Sequence, residues 1–169
     1  MWKVGCVGVM KHQLFVIDPG ETVGWAMFVV KDGELEVACH GQGDWEKFLW
    51  DFEDMLEKGY IDSILVEDYV VRTDTIGANI GSSLRTVRVM GVIEWLVAKA
   101  GLSQQLYWQP PGIGERFFNQ KRLKEMGMWA GRMEHARSAI KHGLYFLMFG
   151  EGKEWITHSM NIPGEQQQP

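Results

Sequence analysis

A chain of 169 residues, 46% of them hydrophobic and 23% charged, has the size and composition of one globular domain with a single core. No run of about 18 apolar residues is present, which excludes a membrane-spanning helix, and the N-terminus has no signal-peptide pattern. We therefore expect a cytosolic protein that does not enter a membrane, with a single domain over residues 1–150 and a flexible tail over residues 151–169.

The formal net charge of -5 conceals an uneven distribution along the chain. Between Asp44 and Asp68, acidic residues greatly outnumber Lys47 and Lys58. Between Arg116 and Lys141 the balance reverses, and basic residues dominate. This segregation indicates either a phosphate-binding basic region with acidic metal ligands elsewhere, or two ordinary solvated faces.

The cysteines are Cys6 and Cys39, and neither belongs to a Cys-x-x-Cys pair. Their number and spacing indicate neither a zinc site nor a disulfide framework. We expect both thiols to be buried.

The first third of the chain predicts three strands. Gln13 to Asp18 is an apolar run that stops at Pro19-Gly20. Thr22 to Val30 and Glu34 to His40 flank Asp32-Gly33, a dipeptide typical of hairpin turns.

A helix, a strand and a longer helix follow. Asp44 is a predicted N-cap for an amphipathic helix that ends at Gly59. Ile61 to Glu67 is the nearly continuous apolar run of a central strand. The next predicted helix extends from about Gly77 to Ala100, with one apolar stripe formed by Ile80, Leu84, Val87, Gly91 and Trp95.

The last elements are a strand from Gln105 to Gln109, a region of loop and short helix to about Gly127, and a helix from Met133 to Phe149. The inward positions of this helix are predicted to be Ala136, Ala139, Ile140, Gly143 and Leu147. The order βββαβαβα predicts an α/β fold, with a mixed five-stranded sheet and helices on both faces.

Two carboxylates end predicted strands. Asp18 precedes a Pro-Gly turn, and Glu67 closes the central strand. If these strands are parallel neighbours, both carboxylates meet in one crevice at the sheet edge and can bind a metal. Asp18 can alternatively cap its own turn through an Asx bond. Asp68 points to the opposite side of the strand, so we assign Glu67 to the site.

The final helix adds polar side chains. His135, Ser138 and His142 lie within an arc of about 60° beside its apolar stripe, where they face Asp18 across the sheet. A histidine at a helix edge is often structural, so its functional interpretation depends on the presence of Asp18 and Glu67.

Four segments together resemble the RuvC-type Holliday-junction resolvases of the ribonuclease H-like superfamily, specifically their short bacteriophage forms. They are FVIDPGETVGWA, SILVEDY, SLRTVRVMGVIEWLVAKAG and HARSAIKHGLYFL, in the family's order and over nearly all of the chain after about residue 12.

The resemblance implies a homodimeric endonuclease of DNA recombination and repair that hydrolyses phosphodiester bonds at four-way junctions with two Mg²⁺ ions, for which Mn²⁺ can substitute. A phage-encoded form would act in the bacterial host cytoplasm. By matching motifs, Asp18 would bridge the two ions and Glu67 would bind one of them. His135 and Ser138 would occupy the two positions of the closing motif, the second of which is Asp in the family.

DNA contacts are assigned to side chains that flank the presumed cleft. They are Tyr69, Arg85, Arg88, Arg116, Lys121, Arg122 and Lys124. The homodimer contact is assigned to apolar residues of the long helix outside its main stripe, namely Val89, Val92, Ile93 and Leu96.

Two other functions are weighed. Actin-like and sugar kinases also have an aspartate followed by glycines in the first strand, but they need more than twice this length, and no Walker-type loop is present. The stronger alternative is a catalytically inactive protein of the same fold that binds branched DNA, because Ser138 replaces an expected carboxylate.

Overall fold

The computed structural model describes residues 11–69 and 76–156, with the backbone alone for residues 76–83. Its five strands are β1 (Lys11–Asp18), β2 (Thr22–Lys31), β3 (Glu34–Asp44), β4 (Ser63–Glu67) and β5 (Leu106–Gln109). Its helices are α1 (Trp45–Glu57), α2 (Ile76–Lys99), α3 (Ile113–Phe117), α4 (Gln120–Glu125) and α5 (Glu134–Phe149). Short 3-10 turns cover Ser103–Gln105 and Glu151–Ile156.

The strands form one mixed sheet in the order β3-β2-β1-β4-β5. The pairs β1–β2 and β2–β3 are antiparallel, whereas β1–β4 and β4–β5 are parallel. The predicted α/β architecture with a mixed five-stranded sheet is therefore confirmed. Among the described residues, no helix has both the length and the apolar character needed to cross a membrane.

The central strands β1 and β4 separate two apolar cores. Leu14 and Val16 point toward α5, whereas Phe15 and Ile17 point toward α1 and α2. All four side chains are at most 1% exposed. A strand covered on both faces explains the nearly continuous apolar runs of the sequence.

Helix α1 begins as predicted. The Asp44 side chain accepts hydrogen bonds from the backbone N–H groups of Glu46 and Lys47, which otherwise lack helical partners. On the inner face, Phe48 and Phe52 stack with Phe15 at ring-centroid distances of 6.3 and 5.5 Å.

Helix α2 turns the face opposite to the predicted one toward the core. The stripe that was predicted to pack inward is open to solvent: Leu84 is 53% exposed, Val87 44% and Trp95 60%. The residues assigned to a dimer contact instead form the inner face, where Val89, Ile93 and Leu96 are at most 4% exposed, and only Val92 remains accessible at 38%. Because α2 is apolar on both sides, periodicity alone does not distinguish its inner face. The side chain of Ile80 lies outside the described residues.

Cys39 is exposed, so its predicted burial is wrong, and Cys6 lies outside the described residues. The pairing of β2 with β3 shifts register between Met27 and Phe28, where Val37 faces Phe28 and Cys39 faces Met27. The extra residue, Ala38, forms a β-bulge that reverses the alternation of side chains. Cys39 therefore does not follow Val37 toward α5.

The C-terminal region is ordered further than predicted. Residues Glu151–Ile156 form a turn against α5, with Gly152 and Ile156 buried. The Trp155 ring lies 3.9 Å from that of His12 and 5.6 Å from that of Phe146. The predicted flexible tail therefore does not begin at residue 151, while residues 157–169 lie outside the described part of the chain.

Helix α5 packs closely against the sheet, with Ala136, Ala139, Ile140, Gly143 and Leu147 buried as predicted. Its N-terminal end lies against β2 at Gly24, the neighbour of Asp18 across the β1–β2 pair. A β-carbon at Gly24 would stand 2.1 Å from the carbonyl carbon of His135, so only glycine permits this approach.

We expect Gly24→Ala to lower the free energy of unfolding by about 1–3 kcal/mol, the usual cost of overpacking, because α5 must move away from β2. Urea unfolding followed by circular dichroism measures the change. Gly43→Ala is the matched control, since a β-carbon there meets no atom within 4 Å. Equal stability of the two variants would contradict close packing of α5 at Gly24.

Candidate active site

Asp18 and Glu67 converge at one edge of the sheet. They follow Ile17 and Val66, the last residues paired in the parallel register of β1 and β4. Both side chains point toward the face covered by α5, since they alternate with Ile17 and Val66 on the other face. They are close enough to share a hydrogen bond, and their exposed fractions are only 15% and 18%. The neighbouring Asp68 is exposed.

Helix α5 brings two of the predicted partners to these carboxylates. Nδ1 of His135 lies 3.1 Å from Oδ2 of Asp18. The hydroxyl of Ser138 donates a long hydrogen bond of 3.4 Å to Oε2 of Glu67. The four predicted site residues thus contact one another, although they come from β1, β4 and α5.

The outermost strand also reaches this site. The Gln42 side chain accepts a hydrogen bond of 3.1 Å from the backbone N–H of His135. Since this N–H lies in the first turn of α5, it has no acceptor within the helix. Gln42 thereby fixes the start of α5 beside Asp18.

His142 belongs to the same cluster, although the site assignment omitted it. Its ring is 1% exposed, with Nε2 3.3 Å from Oε2 of Glu67. On its other side, Nδ1 lies 2.5 Å from Oε1 of Gln109, at the end of β5. The arc shared with His135 and Ser138 indicated the position of His142, but its partner Gln109 is 33 residues away along the chain.

A loop after β5 closes the site from a third side. The backbone N–H of Gly112 lies near Glu67 and helps to hold the pKa of that carboxyl below its usual value. The loop is held on α5 by Gly114, whose β-carbon would stand 2.6 Å from the carbonyl carbon of Lys141. Lys141 also forms an ion pair with Glu115. Lys141 is therefore a buried structural cation and does not contribute to a basic surface.

The electrostatics of the two carboxylates differ. Burial raises the pKa of Asp18, and repulsion by Glu67 adds to this effect, while the hydrogen bond from His135 opposes it. Burial alone would also raise the pKa of Glu67, but His142, Asp18 and the N–H of Gly112 together hold it below its usual value. The hydrogen bond to Asp18 raises the pKa of His135. Two adjacent, poorly solvated carboxylates thus disfavour full ionisation unless a cation is near.

This donor set fits a hard divalent cation. Among the described residues, no three His, Cys, Asp or Glu side chains already form a metal-binding cluster. Asp18 and Glu67 nevertheless contact each other with little solvent, and a divalent cation would offset the negative charge that burial disfavours. Magnesium retains several waters and binds few protein carboxylates, so two are sufficient for one ion.

The side chains predicted to bind DNA follow β4 or belong to α2, α3 and α4, and all except the partly buried Arg122 are exposed. Arg85 pairs with Glu21 just beyond the end of β1, and Lys121 pairs with Glu125. Arg122 lies 5.1 Å from the ring of Phe118. Tyr69 follows Glu67 by two residues and is 36% exposed. Arg85, Lys121 and Arg122 thus each have a local partner in the structure.

A smaller basic group combines Lys124, which was assigned to DNA binding from the sequence, with Arg132 and Arg137, which were not. Lys124 lies 5.4 Å and Arg137 4.7 Å from the ring centre of Trp129. In the described part of the chain, neither these two cations nor the exposed Arg132 forms an ion pair. Arg132 and Arg137 lie within three residues of His135 along the chain.

No protein-family model and no curated protein sequence matches the chain. Among solved structures, it is similar to Thermus thermophilus RuvC in complex with a Holliday junction substrate, with a TM-score of 0.60, 14% identity, and coverage of 82% of this chain and 97% of that one. It is also similar to a second Thermus thermophilus RuvC structure, with a TM-score of 0.56, 13% identity, and coverage of 82% and 96%. At this identity the likeness concerns the fold. The chain therefore has the RuvC-like form of the ribonuclease H-like fold.

Proposed function

We propose that this chain is a metal-dependent DNA endonuclease that selects branched DNA, with four-way junctions as its preferred substrate. The observation that carries the proposal is the convergence of Asp18 and Glu67 with His135 and Ser138 at the carboxyl ends of parallel strands. The likeness in fold to a RuvC bound to a Holliday junction supports the substrate class.

In the proposed mechanism, Asp18 and Glu67 would hold the divalent cations. Bound divalent metal would polarise the scissile phosphate, activate water and stabilise the leaving oxygen. His135 orients Asp18 through the contact at Nδ1, and Ser138 and the N–H of Gly112 orient Glu67. Because both carboxylates are shielded from solvent, their charges would act on a bound cation with little screening.

The DNA backbone is proposed to cross the face that contains the basic group near α5. Lys124, Arg132 and Arg137 carry no ion pair in the described part of the chain, so binding phosphate there breaks no existing salt bridge. Phosphate contacts of this kind hold and orient DNA without reading its sequence. Arg88 and Arg116 remain proposed contacts at the periphery.

The chain is further proposed to act as a homodimer through the exposed face of α2. Leu84, Val87 and Trp95 form an apolar stripe on this face, and a β-carbon at Gly91 in its middle would meet no atom within 4 Å. Trp50 of α1, 71% exposed, lies beside it. A small residue at the centre of an apolar stripe lets two helices cross closely, and a two-fold axis there would present two sites to opposed strands of a junction.

A second function is favoured by one specific observation. Ser138 is neutral and lies 3.4 Å from Glu67, where the resemblance implies a carboxylate. A site with one negative charge fewer holds two divalent cations less well. The chain would then bind branched DNA and cleave it slowly.

We expect Asp18→Asn to lower Mg²⁺-dependent cleavage of a labelled four-way junction by at least roughly 10²–10³-fold, a range typical for the loss of one electrostatic group in an active site. The parent protein should cut the junction in preference to a linear duplex of the same sequence. Asp68→Asn is the matched control, because that exposed carboxylate is adjacent to Glu67 but outside the cluster. Equal cleavage by the Asp18 variant and the parent would refute the site assignment.

Ser138→Asp should increase the Mg²⁺-dependent cleavage rate by about tenfold, or roughly 1.4 kcal/mol of transition-state stabilisation. The added carboxylate supplies both charge and an oxygen ligand. Ser138→Asn, similar in size but neutral, should give no gain. Efficient cleavage by the parent without improvement in the Asp variant would exclude position 138 as a ligand position.

Val87→Glu should convert the protein from a dimer to a monomer in light scattering, with the mass falling from twice 19.3 kDa to 19.3 kDa. A buried, unpaired charge at the centre of an isologous contact occurs twice in each dimer and is therefore strongly destabilising. Phe149→Glu is the control, since Phe149 is equally exposed at 44% on α5. A monomeric parent at micromolar concentration, with and without junction DNA, would contradict the proposed dimer.

A further inference from the structure

A buried polar chain extends from the end of β5 to the candidate site. Gln109 is 5% exposed and His142 1% exposed, so both are almost completely removed from water. The contact between Oε1 of Gln109 and Nδ1 of His142 is 2.5 Å long. Because an amide oxygen only accepts, Nδ1 must donate, and the ring orientation is fixed.

The other ring nitrogen faces the site. Nε2 of His142 makes no well-aligned hydrogen bond among the described residues, and Oε2 of Glu67 lies 3.3 Å from it. Where Nε2 carries a proton, the Glu67 carboxylate is its acceptor at 3.3 Å, and this contact keeps the carboxylate against the ring.

Three groups, two from α5 and one from the loop after β5, therefore limit the orientation of Glu67. Ser138 and His142 approach it from α5, and the N–H of Gly112 approaches it from the loop after β5. Ser138 is the weakest of these, at 3.4 Å and partly exposed. His142 is the only one whose own orientation is fixed by a second buried side chain among the described residues.

We propose that His142, held by Gln109, is a positioning residue that orients the Glu67 carboxylate for divalent-metal binding without contacting the metal itself. This inference rests on the proposed function, because it assumes that Glu67 is a metal ligand. Residues that orient a metal ligand typically affect affinity by about 10–100-fold when they are replaced.

The test is Mn²⁺ binding to the full chain, measured from the loss of the free-ion signal in electron paramagnetic resonance. His142→Leu should raise the Mn²⁺ dissociation constant by about tenfold or more. His142→Gln, whose amide nitrogen can replace Nε2 opposite Glu67, should recover most of the affinity. In a Glu67→Gln background, His142→Leu should cause little further loss, because its effect passes through Glu67.

A stability control separates positioning from packing. Leu147→Ala removes a fully buried side chain of α5 away from the site, so it should lower the free energy of unfolding while leaving Mn²⁺ affinity unchanged. Unchanged Mn²⁺ affinity in His142→Leu would overturn the inference about His142 but not the proposed function. An equal loss with and without Glu67 would also overturn it, since His142 would then act independently. If the parent protein bound no Mn²⁺, the proposed function would fail together with the inference.

Discussion

The parallel pairing of β1 with β4 is the constraint on which the site depends. Parallel strands run in the same direction, so residues that end them stand side by side. The pair Ile17–Val66 is buried and makes this register costly to change, because a shift by one residue would turn every side chain of a strand to the other face. Asp18 and Glu67 are therefore held together by the core beneath them, despite the unfavourable free energy of bringing two carboxylates into contact.

Helix α5 completes the arrangement because its two halves contact different surroundings. The first turns place His135 and Ser138 against the carboxylates, whereas the later turns lie in the core below Phe28, where a β-carbon at Gly143 would stand 2.2 Å from the Phe28 ring. Any displacement of the helix would disturb both regions. The side chains of the site are consequently ordered by the same packing that stabilises the fold, and little additional ordering is needed when a substrate binds.

Local sequence patterns predicted the structural features that depend only on residues close together in the sequence. Asp18 and Glu67 were identified from strands that end in a carboxylate, and the Asp44 cap from the residues that follow it. The contact between His142 and Gln109 joins distant positions and is not visible in any short segment. The inner face of α2 was misassigned for a different reason: apolar residues occupy both sides of the helix, and the choice between them depends on the position of the sheet.

The β-bulge at Ala38 has a consequence four residues further along its strand, at Gln42. With regular alternation from Val37, residue 42 would point away from α5, toward the side occupied by α1. The extra residue shifts the alternation of side chains by one position. Gln42 therefore faces α5, where its side chain accepts a hydrogen bond from the N–H of His135. A single-residue insertion at the margin of the sheet thus determines whether the outermost strand takes part in the site. Changes of length in β3 are for this reason not equivalent to changes of length in a surface loop, even though the strand is largely exposed.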